Sequence, residues 1–211
     1  MQLEKQVKRD HYQKEYDDLN RFVSYFYQKE IIQNLNVKNI LEIGVGNKTL
    51  SNYLKQQGLH ITTCDFDERL NPDFIADIRK LPFNDNKFDC VVAFEILEHL
   101  PFKYFSTCLI ELYRTSRRYV VLSIPYSSIY FEFLVRFPFI TKIIKRDFLR
   151  FFISIPFISH KFLSKEHYWE LGRKGYSLKK IRKIIKKKFK IIKEIRPPID
   201  TYHYFFVLEK K

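Results

Sequence analysis

The stretch NILEIGVGNKTLSNYL, residues 39–54, limits what this chain can fold into more than any other. Ile40, Leu41 and Ile43 make a short aliphatic run of the kind buried on both faces of a sheet. Gly44 and Gly46 follow, and then Leu50, Tyr53 and Leu54 fall at helical spacing. The predicted order is strand, tight glycine turn, helix. Glycines there let the backbone turn sharply and come close to a ligand. The helix N-terminus behind them favours a carboxylate or other anion. The plainer reading is an ordinary tight connection between strand and helix.

The rest of the chain repeats the alternation. Strand-like runs at 60–67, 73–77, 87–95 and 117–125 are separated mostly by helical segments such as Tyr104 to Thr115. This predicts a parallel sheet with right-handed crossovers. Residues 2–34 read as an amphipathic helix. Residues 177–189 read as another, with Ser177 as N-cap and Leu178, Ile181, Ile184 and Ile185 inward. The runs 189–198 and 201–210 are joined by only a short turn. They must pair antiparallel or lie apart, because parallel neighbours need a long crossover. Residues 126–163 are rich in Phe and Ile, interrupted by Arg and Lys, and fit no core strand. They are expected to form an inserted helical cap over the strand ends. With no repeats or low-complexity linkers, residues 1–211 are expected to be one domain.

Charge and cysteine content narrow the setting. Residues 1–132 hold 17 Lys and Arg against 18 Asp and Glu, whereas 133–193 hold 18 against 3, so the formal net charge of +14 lies in one stretch. One basic face on a neutral body suggests an anionic partner: a phosphate, a nucleic acid or a membrane surface. The charged start, MQLEKQVKRDHYQKEYDDLN, does not read as a signal peptide. The uncharged run Tyr119 to Phe131 is too short to span a bilayer. Cys64, Cys90 and Cys108 lack metal or redox spacing and read as reduced core thiols of a cytoplasmic protein.

Acids collect where ligands bind an open parallel sheet, beyond the carboxyl ends of its strands. Glu42, Asp65, Asp77 and Glu95 follow four successive strands. Any one of them would ordinarily be a solvated loop carboxylate. Asp65 follows Gly46 by 19 residues, a spacing that suits a carboxylate holding both hydroxyls of a ribose. The nicotinamide fingerprint G-x-G-x-x-G fails, because its sixth position is Thr49, and the phosphate loop G-x-x-x-x-G-K-[ST] is absent.

These segments resemble the class I S-adenosylmethionine-dependent methyltransferases. The resemblance rests on ILEIGVGN (40–47), Asp65, ADIRKLPF (76–83), FDCVVAFEILEHLP (88–101) and VVLSIP (120–125), followed by the closing helix and strand pair. The family often has a third glycine where this chain has Lys48. The resemblance implies a Rossmann-like seven-stranded, mostly parallel sheet with an antiparallel last strand, helices on both faces, and here a helical insert after the fifth strand. It implies S-adenosylmethionine as cofactor. Glu42, Gly44 and Gly46 would line its methionine half, and Ala93 and Phe94 would offer backbone near the ammonium. Asp65 would bind the ribose, Phe66 would lie beside the adenine, and Asp77 and Ile78 would meet its edge.

The acceptor side is less determined. An oxygen or nitrogen acceptor often needs its proton removed, and His99 and His167 are the candidate bases. Glu95, Glu98 and His99 form an E-x-x-E-H array that, with His167, resembles the divalent-metal cluster of small-RNA 2′-O-methyltransferases and some quinone-pathway O-methyltransferases. In metal-free relatives the same array only shapes the loop. The aromatic and basic insert favours O-methylation of a glycan, a lipid-linked or another small-molecule acceptor, with peripheral contact to an anionic membrane. Nucleic acid is the rival partner. A methyltransferase-like partner protein without activity is the non-enzyme alternative, and intact acids at four strand ends argue against it.

Overall fold

The computed structural model describes residues 16–137, 139, 143, 148–156 and 166–211. Its centre is a seven-stranded sheet in the order β3-β2-β1-β4-β5-β9-β8. The strands are β1 (Asn39–Ile43), β2 (His60–Asp65), β3 (Phe74–Ile75), β4 (Phe88–Phe94), β5 (Ser116–Pro125), β8 (Phe189–Ile195) and β9 (His203–Lys210). β1 to β5 pair in parallel, and β9 runs antiparallel to both its neighbours, β5 and β8. The two closing runs thus pair directly, as a short connection requires.

Side chains alternate along each strand and so divide the core in two. Leu41, Ile43, Val91, Ala93, Val120, Leu122 and Phe206 face one side, where α3 (Phe105–Thr115) and α4 (Leu178–Ile185) cover them. Ile40, Cys90, Val92, Val121 and Phe205 face the other, under α1 (Leu19–Asn34) and α2 (Thr49–Gln56). Ile181 and Ile185 of α4 are fully buried, and Ser177 caps the helix by accepting from the Lys180 amide. Asp18 caps α1 by accepting from the Arg21 amide at 2.7 Å. The expected helix over 2–34 is therefore a helix over 19–34, with residues 1–15 outside the described part. The three cysteines are free and buried, where burial pushes each thiol up.

The insert differs from the expected helical cap. Its described part is an antiparallel two-stranded ribbon of β6 (Ser128–Val135) and β7 (Leu149–Pro156), paired from Ser128–Pro156 to Val135–Leu149. Residues such as Ile129, Tyr130, Phe131 and Phe133 favour extended backbone, and eight facing pairs satisfy both strands. The remainder of 126–163 (138, 140–142, 144–147 and 157–163) lies outside the described residues.

Candidate active site

The glycine turn closes at the carboxyl end of β1. Gly44 has φ +80° and Gly46 φ +49°. A Cβ on Gly44 would stand 1.9 Å from Cδ1 of Ile96, so the turn packs directly on the loop after β4. Lys48 stands where the family often has glycine, and it takes the glycine conformation, with φ +63°. Its ammonium reaches the Asn71 carbonyl. A left-handed non-glycine residue costs roughly 1–2 kcal/mol, which the Asn71 contact and the Lys48 amide bond to the Val45 carbonyl at 2.8 Å offset. Asn47 steadies the entry to α2, accepting from the Thr49 amide and the Tyr25 hydroxyl, each at 3.1 Å.

Asp65 ends β2 beside this turn. It accepts the Val45 amide at 2.9 Å through one oxygen and the Asp67 amide at 2.9 Å through the other. The residue predicted to meet a ribose thus also ties together the two loops that would surround it. Burial raises its carboxyl, and these amides work against that shift. Phe66, next in the chain, is exposed, while Ile78 is buried. Asp77 is held bidentate by the Arg79 guanidinium. Ala93 and Phe94 close β4, with Ala93 fully buried.

Glu42 lies inside the strand, almost fully buried, with one carboxylate oxygen lacking a partner. Burial pushes its carboxyl up to about 8, with Ser51 and Lys55 opposing. An orphaned buried carboxylate beside a positive-φ glycine turn fits a cationic ligand, and S-adenosylmethionine carries an ammonium and a sulfonium.

The E-x-x-E-H array begins with Glu95 in the left-handed region, φ +54°, its amide donating to Ser123 Oγ at 3.0 Å. That kink ends β4 and starts the short turn Leu97–His99. Glu98 is fully buried with neither carboxylate oxygen partnered. Burial, and then the charge of Glu95, push its carboxyl well above the usual range. The rings of His99 and His167 meet edge to face at 4.8 Å. His99 Nδ1 donates to the Glu166 carbonyl at 3.0 Å, and His167 Nδ1 donates to Glu170 Oε1 at 2.9 Å. The His167 imidazole then presents Nε2 as its basic nitrogen. Glu98, His99 and His167 offer ligand atoms all within 4.8 Å of one another. Of the four residues predicted as a metal set, these three come together. Glu95 turns to His203 instead, 3.9 Å from Nε2.

Trp169 makes this meeting happen across a long stretch of sequence. It is buried and donates to the carbonyls of Leu97 at 3.2 Å and Leu100 at 3.1 Å. Phe102 and Phe105 pack edge-on against its ring. The Tyr168 amide adds a bond to the Glu98 carbonyl at 2.8 Å. Segment 166–171 is therefore fixed on the loop that carries Glu98 and His99.

The sequence places Glu170 three residues after His167 without giving it a role, and the pair of His203 with Asp200 escaped the reading. Glu170 accepts from His167, from the Tyr202 hydroxyl at 3.1 Å, from Arg173 Nε at 3.1 Å and from the Ser127 hydroxyl. Burial alone would raise its carboxyl, but these donors bring it down to about 2. His203 donates from Nδ1 to Asp200 Oδ2 at 2.5 Å. Burial disfavours the imidazolium, but Glu95 and Asp200 win and raise it. A histidine and an acid three residues apart, in HYWE and in DTYH, was the available signal.

Beside Glu170 and Asp200 opens a cavity of about 340 Å³, lined among others by Tyr126, Ser127, Tyr130, Arg173, Asp200 and Tyr202. It lies between the root of the ribbon and the β8–β9 connection.

Residues 41–123 match the family described as a methyltransferase domain, a span that holds the glycine turn, Asp65, Asp77 and the E-x-x-E-H array. No curated protein matches the sequence. Among solved structures, the fold is similar to magnesium protoporphyrin IX methyltransferase from Synechocystis PCC 6803 with bound S-adenosylhomocysteine (TM-score 0.59, 18% identity, covering 91% of this chain and 83% of that one). It is similar to the N-methyltransferase NodS of Bradyrhizobium japonicum (0.59, 11%, covering 97% and 94%). It is also similar to the 1,6-didemethyltoxoflavin N1-methyltransferase of Burkholderia thailandensis (0.58, 14%, covering 93% and 80%).

Proposed function

We propose that the chain is a class I S-adenosylmethionine-dependent methyltransferase, as the match of residues 41–123 to a methyltransferase domain supports, and that it methylates an oxygen of a small or lipid-linked acceptor, with His167 taking the acceptor's proton. The observation that carries this reading is the His167–Glu170 pair, whose Glu170 accepts from Ser127, Arg173 and Tyr202, three residues of the cavity wall. Glu170 fixes the proton of His167 on Nδ1, orients the ring and stabilises the imidazolium once Nε2 has accepted a proton. Bound S-adenosylmethionine supplies the electrophilic methyl group. The remaining work is alignment and exclusion of water.

Glu42 and the glycine turn would hold the methionine half, and Asp65 with Phe66 the nucleoside. Asp77 and Ile78 would meet the adenine edge, and Ala93 and Phe94 the ammonium. The cavity, at about 340 Å³, suits a small molecule or one end of a larger one. Nearby structures act on porphyrin and toxoflavin precursors, so compact acceptors are at home on this fold.

A divalent cation is a second reading. It is favoured by the unpartnered carboxylate of Glu98 next to two imidazoles whose Nδ1 protons are tied off. One carboxylate and two imidazoles make a mixed N/O set, to which Mn²⁺ is better matched than the harder Mg²⁺. Glu98, His99 and His167 would hold the ion, which would lower the pKa of an acceptor hydroxyl.

The direct experiment incubates purified protein, cell extract and methyl-labelled S-adenosylmethionine, and identifies the labelled product by mass spectrometry. A labelled ether or ester on a small or lipid-linked molecule supports the proposal. A product methylated only on nitrogen, or on RNA, overturns it.

A further inference from the structure

The β6–β7 ribbon has its polarity reversed. Its inner face carries Ser128, Glu132, Arg150 and Ser154, fastened to the β8–β9 connection. Arg196 donates to the Ser128 hydroxyl at 2.6 Å and the Ser154 hydroxyl at 2.8 Å. Arg150 pairs with Glu132 at 2.6 Å and donates to the carbonyls of Arg196 at 2.6 Å and Pro197 at 3.2 Å. The outer face carries the cross-strand pairs Ile129–Ile155, Phe131–Ile153 and Phe133–Phe151. Each of these six side chains is 52% to 61% exposed. An antiparallel pair with one face in water normally puts its polar residues there. Here they are turned to the protein, and an apolar ladder is turned out, which marks a surface made for contact.

The sequence beside the ladder says what kind of contact. Residues 136–148, which join the two strands, hold four Lys and Arg against one Asp. Phe137, Phe139 and Ile143 in that connection are exposed. Aromatic and aliphatic groups among cations suit the boundary between acyl chains and anionic headgroups. A second copy would bring like charges together, which opposes self-association through this face.

We infer that the outer face of β6–β7 docks on an anionic bilayer surface, with its apolar ladder in the acyl boundary and exposed Arg136, just past the end of β6, among the headgroups. Ser128 and Tyr130, at the root of the same ribbon, line the cavity. Docking therefore keeps the cavity beside the bilayer, behind the ribbon whose outer face meets it. The acceptor is then an amphiphile whose polar end enters from the membrane, a statement that rests on the methyltransferase reading above.

Flotation of the full chain with vesicles tests the docking. The chain is expected to float with vesicles of phosphatidylcholine mixed with phosphatidylglycerol, less so at high salt, and not with phosphatidylcholine alone. Phe133→Ser with Phe151→Ser should lower the partition coefficient about 100-fold, given the apolar area withdrawn from the acyl boundary. A strand-compatible pair, Ile129→Thr with Ile153→Thr, guards against misfolding. Circular dichroism and S-adenosylhomocysteine binding monitor the fold of both variants. Absence of flotation at every composition, or undiminished flotation of both variants, overturns the inference. So does a concentration-dependent dimer that these substitutions dissolve in a chain that does not float. Flotation without S-adenosylhomocysteine binding would strike the methyltransferase reading and leave the docking intact.

Discussion

Glu170 holds His167 by a 2.9 Å bond between Oε1 and Nδ1, while Ser127, Tyr202 and Arg173 hold Glu170 in turn. Replacing His167 with Ala should lower turnover by about 10²–10⁴-fold if Nε2 is the base. Cofactor affinity should stay near wild type, because His167 is bonded to Glu170 and packed on His99, away from the bonds that hold the glycine turn to Asp65 and Asn71. Isothermal calorimetry with S-adenosylhomocysteine, run beside the activity assay, separates the two effects. Full activity in His167→Ala and His99→Ala alike would leave alignment alone as the mechanism.

The Glu170 carboxyl also links folding to acid. Its folded value of about 2 lies below the unfolded value, so its contribution is present above pH about 4.5 and is lost as pH falls towards 2. The shift corresponds to about 3 kcal/mol at most. Urea unfolding between those pH values should show the loss, and Glu170→Gln should flatten it.

Glu42 behaves in the opposite sense. Its folded value is raised to about 8, so it holds a proton near neutrality, and its contribution to stability is full below pH about 4.5 and fades as pH rises towards 8. A cationic cofactor nearby would favour the carboxylate. Binding of S-adenosylmethionine at pH 7 should then release a fraction of a proton. Calorimetry in buffers of different ionisation enthalpy measures this directly, and Glu42→Gln should abolish the buffer dependence.

The turn itself can be challenged with one methyl group. Gly44→Ala places Cβ against Ile96 and keeps a positive φ, a combined cost of about 2–4 kcal/mol. Thermal unfolding should show the loss, and cofactor binding should weaken with it. Adding Ile96→Ala should recover the part due to the clash and leave the part due to φ.

A metal at Glu98, His99 and His167 makes a separate demand. Activity should vanish with a chelator and return with Mg²⁺ or Mn²⁺. Calorimetric titration with Mn²⁺ should show binding that Glu98→Gln weakens. Chelator-resistant turnover would remove the ion and leave the base.

Much of this was legible in the sequence, for identifiable reasons. β1, β4 and β5 are aliphatic runs closed by the Gly44 turn, the Glu95 kink or Pro125, and parallel connections leave their carboxyl ends on one side of the sheet. That put Glu42, Asp65 and Glu95 near one site. The ribbon was not legible, because SIYFEFLV is apolar at nearly every position and its pairing partner lies beyond a charged connection. Only the register reveals that one face is apolar. The role of Glu170, which the sequence shows only as a neighbour of His167, and that of His203 were not legible for a related cause. Their roles come from contacts with Ser127, Tyr202 and Glu95, which are distant in sequence. Lys48, where the family often has glycine, adopts a left-handed backbone that glycine would take freely.

The position of β9 has a kinetic consequence. It fills the gap between β5 and β8 and makes every hydrogen-bonded pairing that either strand has on that side. Until residues 203–210 have been synthesised, β5 presents an apolar open edge through Val120, Val121 and Leu122. Such an edge is a template for pairing with a neighbouring chain. The half of the sheet with the glycine turn can assemble early from neighbouring segments, while closure waits on a long-range contact that forms slowly. Yield during expression should therefore depend on chaperone supply during that interval, more than on the stability of the finished fold.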